Sequence, residues 1–552
     1  MLDAKSLPDG EVLTCDVCII GAGPVGISIA QEFVGSDLKV ILLESGGVSL
    51  GDHADDLSEP ASEGPYGTTS FITNVRHYGG NSNAWNIIRN DGIMGVRFAT
   101  FQDVDYQARP GVPDTGWPIG PDDVAPYIQR AAKLWNLAPD GFKRSEQDAN
   151  QTVSMIEAGG NLETAMFQFP DAALARLEFR KGIDAAPNIE TYYHATATRL
   201  VPDDTDTKVE TVIVKPSRDK EIQIKAKQVI VSASGMGSCQ LLLSSPTKAG
   251  HEFGNSGDSL GRYMIDHPLI SGGDIILKDP AFLDTMLLYD IDERKGASSM
   301  GYLHLSAETV RREQVPNLNM MLFPRREGHK KAHAKLAMHM RAHKAAVRVR
   351  NNLRRRQFPA MIDLFHAVIG SPLIIGDVIR LYTDPQVNPG RGGWMKKGLP
   401  SKRFDRLEVV HSVEQLPHRD NRMRLSDETN RLGIRKITFE YQLHDEDLAA
   451  FKRCQTVMAG AVADAGLGEF KFRRVEGDNL DLVAMSTGHH MGMTRMGDDP
   501  KTSVVDANCC VHGTTNLYVA CSGVFPAGGS ANPTFMAISL GLRIADRLKQ
   551  TS

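Results

Sequence analysis

Hydrophobic and polar positions follow three patterns along this chain, and each predicts different elements. Near the N-terminus, two short apolar runs at residues 17–20 and 39–43 flank a segment of helical character at 27–33. Runs of that length suit strands buried on both faces, so the stretch reads as strand, helix, strand. In the middle, "ETYYHATATRLV" and "TKVETVIVKP" alternate as hairpin strands, and "KQVIVSASGMGSCQLLLSS" reads as strand, glycine turn and helix. At the C-terminal end, "NLYVA" is a short buried strand, "CSGVFPAGGSANPT" a turn-rich loop, and 535–548 a helix. A further helix, capped near Asp122 or Asp123, follows the turn-rich "GVPDTGWPIG". Residues 270–480 have mixed character and no detectable repeat.

Glycines sit where the first strand turns into the first helix. Gly21, Gly23 and Gly26 form G-x-G-x-x-G, and Glu44 ends the second strand. In a βαβ unit these residues have distinct tasks. Gly21 permits the tight turn, Gly23 lets the backbone approach a pyrophosphate, and Gly26 lets helix and strand touch. The helix N-terminus faces the phosphates, and Glu44 is placed to accept hydrogen bonds from a ribose. The pattern alone does not separate FAD from NAD. The loop "RHYGGNSNAWN" at 76–86 adds the Gly79-Gly80 pair and small polar residues, which suit backbone lying near a flat ligand. A solvent loop is the alternative, and Tyr78 and Trp85 speak against it.

Composition narrows the class. A chain of 552 residues with 41% hydrophobic and 23% charged positions can bury the cores of two domains sharing an interface. A net charge of -5 gives no general affinity for nucleic acid. Seven cysteines are sparse, and adjacent Cys509 and Cys510 are too close for an ordinary disulfide, so reduced thiols in a cytoplasmic protein are expected. No metal is expected, because the loop bearing Asp266 and His267 has no further ligands at zinc-like spacing. The N-terminus lacks a basic then apolar leader pattern. The oily stretch 358–382 carries Asp363, Asp377 and Pro372, which argue against a membrane span. Residues 325–356 hold twelve Lys/Arg, four His and one acid. Leu336, Met340, His343 and Val347 fall there at helical spacing, which predicts an amphipathic basic helix. A solvated face is one reading of it; peripheral contact with anionic lipid or an acidic partner is the other.

The remaining pattern is chemical. "STGHHMGMTRMG" at 486–497 sets His489 and His490 side by side. Together with the glycine fingerprint, the 76–86 loop and "NLYVACSGVFPAGGSANPTFMAISLGLRIAD", this block resembles the glucose–methanol–choline (GMC) flavoprotein oxidoreductases. "DTGWPIGPDDVAPYIQRA" and "EQLPHRDNRMRLSDETNRLG" are similar to the bacterial branch near pyranose oxidases, glucoside 3-dehydrogenases and C-glycoside oxidases.

The resemblance implies a mixed α/β and α+β fold. A Rossmann-like FAD domain would be assembled from residues 10–100, 190–269 and 480–552. A substrate domain on an antiparallel sheet covered by helices would take 101–189 and 270–479, with the basic helical insertion around 325–385. FAD would be held by Gly21, Gly23, Gly26 and Glu44, by Gly79, Gly80, Asn81, Ser82 and Ala84 in the loop, and by Ser522, Gly523, Pro533 and Thr534. Some pyranose oxidases attach FAD covalently through a histidine at the position of Ala84, so noncovalent FAD is expected here. His489 would take the proton of a substrate hydroxyl while hydride passes to flavin N5, and Asn532 would hold that hydroxyl. Gln415 and His490 are candidates beside the substrate.

The implied reaction is oxidation of an alcohol to a carbonyl, at C2 or C3 of a sugar or glycoside, or on a nonsugar alcohol such as a polyol or natural-product alcohol. Oxygen, a quinone or a carrier protein would reoxidise the flavin. A homo-oligomer is compatible with all of this. A noncatalytic flavin scaffold docking through its basic helix is the reading from a different class, and intact His489 and Asn532 oppose it.

Overall fold

A computed structural model describes residues 1–49, 52, 54–61, 74–85, 87–88, 93–112, 114–327 and 392–551, together with positions 349, 358, 361–362, 364–365 and 367–368. The basic run lies outside the described residues beyond position 327, apart from position 349.

The first apolar run becomes the strand Val12–Ile20, the helix follows as Pro24–Glu32, and the second strand is Val40–Leu43. These strands form the centre of an eight-stranded sheet. Its order is Leu2–Asp3, Ile189–Tyr193, Val40–Leu43, Val12–Ile20, Lys220–Val231, Val209–Ser217 and Thr196–Pro202. Leu517–Val519 also pairs, in parallel, with Lys220–Val231. That twelve-residue strand does two jobs. Its first half pairs antiparallel with Val209–Ser217, and its last residues join the parallel core against Ile20 and Val519. Val17, Cys18, Ile19, Ile41 and Leu42 are fully buried, as strands covered on both faces require.

Three helices cover this sheet beside the fingerprint. The terminal helix Thr534–Thr551 packs on Pro24–Glu32 and on Pro121–Leu134. Pro121–Leu134 opens as its sequence predicts: Pro121 takes the first position, and the Asp123 carboxylate accepts from the Gly120 N–H at 2.8 Å. Arg130 on it reaches Glu32 and Asp546, and the Trp135 indole N–H donates to Ser28 Oγ at 3.0 Å. The terminal helix is thereby tied to the fingerprint helix, and the loop preceding it cannot drift from the nucleotide turn.

A second sheet of eight strands is antiparallel throughout. It runs Asp292–Arg294, Ala297–Leu305, Leu318–Arg325, Arg406–Val413, Leu269–Leu277 and Gly468–Phe472, with Leu162–Gln168 and Leu482–Ala484 added at its flanks. Leu269–Leu277 begins three residues after Asp266, and Leu482–Ala484 ends two residues before Ser486. Pairing of Leu269 with Ala484 therefore brings two loops from distant parts of the sequence together.

Candidate active site

The nucleotide turn is built from what its glycines permit. Gly21 sits at φ +108°, and a Cβ there would come within 2.7 Å of the Ser232 carbonyl oxygen. A Cβ on Gly26 would lie 1.9 Å from the Gly21 oxygen, so helix and turn meet only because both are glycine. Gly23 differs. The nearest atom to a Cβ there is Gly80 Cα at 4.0 Å, which leaves its face open to a cleft. Gly23 also caps the helix N-terminus without any side-chain acceptor, so the first-turn N–H groups present their positive dipole end uncapped.

Glu44 closes the next strand, 6% exposed. Its Oε2 accepts from the Ala22 N–H at 3.1 Å and its Oε1 from the Gly46 N–H at 3.0 Å. Burial pushes this carboxyl up, while those two N–H groups and nearby Arg76 pull it down. Each oxygen keeps capacity for one more donor. Arg76 donates through Nε to Ser58 Oγ at 2.6 Å and through its terminal nitrogens to Ser45 Oγ and Gln240 Oε1, both at 3.3 Å.

Gly21, Gly23, Glu44, Arg76, Gly80 and Asn81 line one cleft with about 1320 Å³ of empty space. The strand end Ala195 to Thr198 and the helix start Ser234 to Gly237 line it further along. Uncapped helix amides beside a guanidinium, with a buried carboxylate one strand away, fit a dinucleotide pyrophosphate and ribose.

The same cleft is also lined by Gly488, His489, His490, Ser522, Pro533 and Thr534. His489 is half-buried and His490 buried. The His490 carbonyl accepts from Ser522 Oγ at 2.7 Å, and a Cβ on Gly235 would sit 2.5 Å from that same oxygen. Beneath His489 lies Asp266, fully buried. Its Oδ1 accepts from the backbone N–H groups of His267 (2.7 Å), Thr487 (3.1 Å) and His489 (3.2 Å), and its Oδ2 from the Ser486 hydroxyl at 2.6 Å. Burial alone would raise this carboxyl, but facing His490, His489 and the Ser486 hydroxyl hold it below the usual range. His489 Nδ1 stands 3.0 Å from both His267 Nδ1 and Thr487 Oγ1. Burial and the neighbouring His267 push the His489 imidazole down to about 3, so it stands neutral across the physiological range.

The structure distributes the sequence-predicted residues unevenly. Gly21, Gly23, Glu44, Gly80, Asn81, His489, His490, Ser522, Pro533 and Thr534 line the one cleft. Gly26 supports the turn from behind. Asn81 spends its Oδ1 on the Val75 N–H at 2.9 Å. Ser82 is buried, donating to the Gly79 carbonyl at 2.7 Å, so Gly79 and Ser82 shape the loop. Ala84 is exposed, and Gly523 packs against Thr494, its carbonyl accepting from the Thr494 N–H. Asn532 is half-buried beside Pro533, and its amide meets no hydrogen-bond partner among the described residues. Gln415 departs from expectation. It is 1% exposed, its Oε1 accepts from the Asp266 N–H at 3.1 Å and Tyr441 OH at 2.8 Å, and its Nε2 donates to the Gln442 carbonyl at 3.3 Å. That amide braces the Asp266 loop, and Gln415 is not among the residues lining the cleft. Asp266, His267, Thr487 and Arg76 were not singled out from sequence as part of the site. Arg76 lay inside a loop already quoted, and its charge next to a glycine pair was the available signal.

The chain is similar to known proteins in part of its sequence and in its fold. The GMC oxidoreductase family model matches residues 417–541. Paromamine 6'-oxidase of Streptomyces fradiae is 30% identical over 170 residues, 30% of each chain, and the fructose dehydrogenase large subunit of Gluconobacter japonicus is 31% identical over 168 residues, 28% of this chain and 29% of that one. The chain thus matches under a third of the length of either relative. The 2-methyl-1,2-propanediol dehydrogenase of Mycolicibacterium austroafricanum is 24% identical across 97% of this chain and 95% of its own. Among solved structures, pyridoxine 4-oxidase from Mesorbium loti superposes with a TM-score of 0.52 at 15% identity, covering 97% of this chain and 99% of that one, which shows a shared fold. Residues 417–541 thus carry the match to the GMC oxidoreductase family, and the fold is shared with pyridoxine 4-oxidase.

Proposed function

We propose that this protein oxidises an alcohol to a carbonyl with noncovalent FAD, acting on a secondary hydroxyl, at C2 or C3, of a sugar or glycoside. The observation that carries the reading is His489: a neutral imidazole lining the same cleft as Glu44, with Nδ1 engaged by His267 and Thr487 and no protein partner for Nε2 among the described residues. FAD, when bound, would supply the acceptor for the hydride, and with it the two electrons, that leaves the substrate carbon. His489 Nε2 takes the hydroxyl proton, and the cation so formed is offset by the Asp266 carboxylate below it. Asn532 orients the hydroxyl by hydrogen bond. Gly23, Arg76 and Glu44 hold the nucleotide portion. Exposed Ala84 offers no nucleophile for a covalent link to the flavin.

A sugar substrate is supported by the relative named for fructose, and by the "DTGWPIG" and "EQLPHRDNRMRLSDETN" stretches. The second reading, a nonsugar alcohol, is favoured by the relative named for 2-methyl-1,2-propanediol, whose likeness runs the length of the chain. Anaerobic mixing of the FAD-loaded protein with sugars, glycosides and simple diols decides between them by which compounds bleach the flavin absorbance. Bleaching by diols and not by sugars would overturn the sugar assignment, and bleaching by no alcohol would overturn the reaction. Reoxidation of the bleached protein by oxygen, a quinone or a carrier protein then identifies the acceptor.

A further inference from the structure

The Nδ1–Nδ1 contact between two histidines has room for one hydrogen, and the groups around it bear on which ring carries that hydrogen. Thr487 Oγ1 has one hydrogen. Two acceptors that cannot donate face it: the His267 carbonyl oxygen at 3.0 Å and Asp266 Oδ1 at 3.3 Å. The hydroxyl hydrogen is spent there, so Thr487 presents a lone pair to His489 Nδ1, also 3.0 Å away. A lone pair facing Nδ1 requires a proton on Nδ1. That same proton points between Thr487 Oγ1 and His267 Nδ1, so His267 Nδ1 must be bare and His267 carries its own hydrogen on Nε2. The His267 ring is fully buried, its Nε2 beside Gly528. Burial disfavours the doubly protonated ring. The two rings stand nearly perpendicular, 81° between planes, which lets one nitrogen edge meet the other.

We propose that His267, with Thr487, is a positioning residue that locks His489 in the Nδ1–H tautomer, so that Nε2 offers an unprotonated lone pair to the cleft. The proposal rests on the alcohol-oxidation reading for its catalytic consequence but not for the tautomer itself. Without this lock a neutral imidazole in contact with solvent divides between two tautomers, and the Nε2–H form is a donor that cannot take the substrate proton. Asp266 holds the backbone of both histidines in place, so the ring contact is set from the loop upward.

Three variants of the FAD-loaded protein test it: His267→Phe, His267→Asn and Thr487→Val. Phenylalanine keeps the ring volume and removes the acceptor. Asparagine returns a carbonyl oxygen near the position of Nδ1. Valine keeps the shape of threonine without its oxygen. The first measurement is a long-range proton–nitrogen NMR spectrum of histidine-labelled protein, with His489 assigned by its loss in His489→Gln. The expected result is a protonated Nδ1 and a bare Nε2 in the parent protein, with mixed signals in His267→Phe and Thr487→Val. A protonated Nε2 in the parent overturns the proposal.

The second measurement is anaerobic flavin reduction by a substrate. His267→Phe should slow the limiting rate by at least about 10-fold, within the range general-base catalysis spans, with the half-saturating substrate concentration and FAD content unchanged. His267→Asn should recover most of that loss. An asparagine variant as slow as the phenylalanine variant, or a phenylalanine variant at parental rate, overturns the lock. If no alcohol bleaches the parent while the spectrum gives Nδ1–H, the reaction assignment fails and the lock stands.

Discussion

Arg109 and Glu414 face each other across 305 positions of sequence in a two-pronged ion pair, at 2.7 and 2.6 Å, with both side chains almost wholly removed from solvent. Glu414 also accepts from the backbone N–H groups of Asn317 at 2.9 Å and Gly529 at 3.0 Å. The Asn317 amide in turn donates to Asp105 at 2.9 Å. One buried carboxylate therefore ties the antiparallel sheet to the loop that leads to Asn532.

Removing half of this pair should be costly, because the other half is left charged in a dry site. Glu414→Ala should lower unfolding stability by about 3–5 kcal/mol. The double variant Arg109→Met, Glu414→Leu should recover much of that loss. Urea denaturation of all three proteins checks it, and a single variant as stable as the double would contradict the assignment of an uncompensated charge.

At the nucleotide end, Glu44→Ala removes the acceptor of the Ala22 and Gly46 N–H groups as well as the proposed ribose contact. Each buried donor left unmade costs about 1–3 kcal/mol, so FAD retention and thermal stability should fall together. Glu44→Gln keeps an acceptor oxygen and should retain more of both. Gel filtration with absorbance at the flavin band reads retention. If the alanine variant keeps its full flavin complement, the ribose contact lies elsewhere.

The two adjacent histidines should separate cleanly. His489→Ala is expected to keep FAD and slow flavin reduction by about 10²–10⁴-fold, the usual scale for a general base. Asn532→Ala should slow it less, since an amide orients without accepting the proton. His490→Ala should cost much less than His489→Ala, because the His490 carbonyl that meets Gly235 and Ser522 is kept in the variant. Equal rates in His489→Ala and the parent protein would remove the base from this position.

Acid should destabilise the fold in a specific window. Burial holds His304 and His411 down at about 4. A histidine depressed in the folded state is neutral there while the unfolded chain takes up a proton below about 6.5. The unfolded state then binds more protons, so stability is lost as pH falls from about 6.5 towards 4. His411→Phe, which cannot titrate, should flatten that part of the melting-temperature profile. A parent profile flat from pH 7 to 4.5 would contradict the buried, neutral assignment. The rate of flavin reduction should by contrast show no loss centred near 6.5, because His489 protonates only near 3, among Asp266, His267, His490 and Arg97.

What could be read in advance follows the range of the interactions. The βαβ unit was legible because its turn, glycines and acid lie within 29 consecutive residues and each acts on a near neighbour. The start of Pro121–Leu134 was legible for the same reason, through Asp123. The underside of the site was not. Asp266 and His267 meet Ser486, Thr487 and His489 only because Leu269 pairs with Ala484, a register between segments more than 200 residues apart. Local spacing around His267 answered only the metal question. Gln415 is a similar case: a polar side chain near the expected pocket is equally suited to bracing a loop, and its three bonds run to Asp266, Tyr441 and Gln442.

The contact between Gly235 and the His490 carbonyl has an evolutionary meaning. The helix floor under the cofactor and the histidine pair are cast as one piece, with no room for even a methyl group between them. A descendant of this protein could not enlarge residue 235 without first displacing the histidine pair.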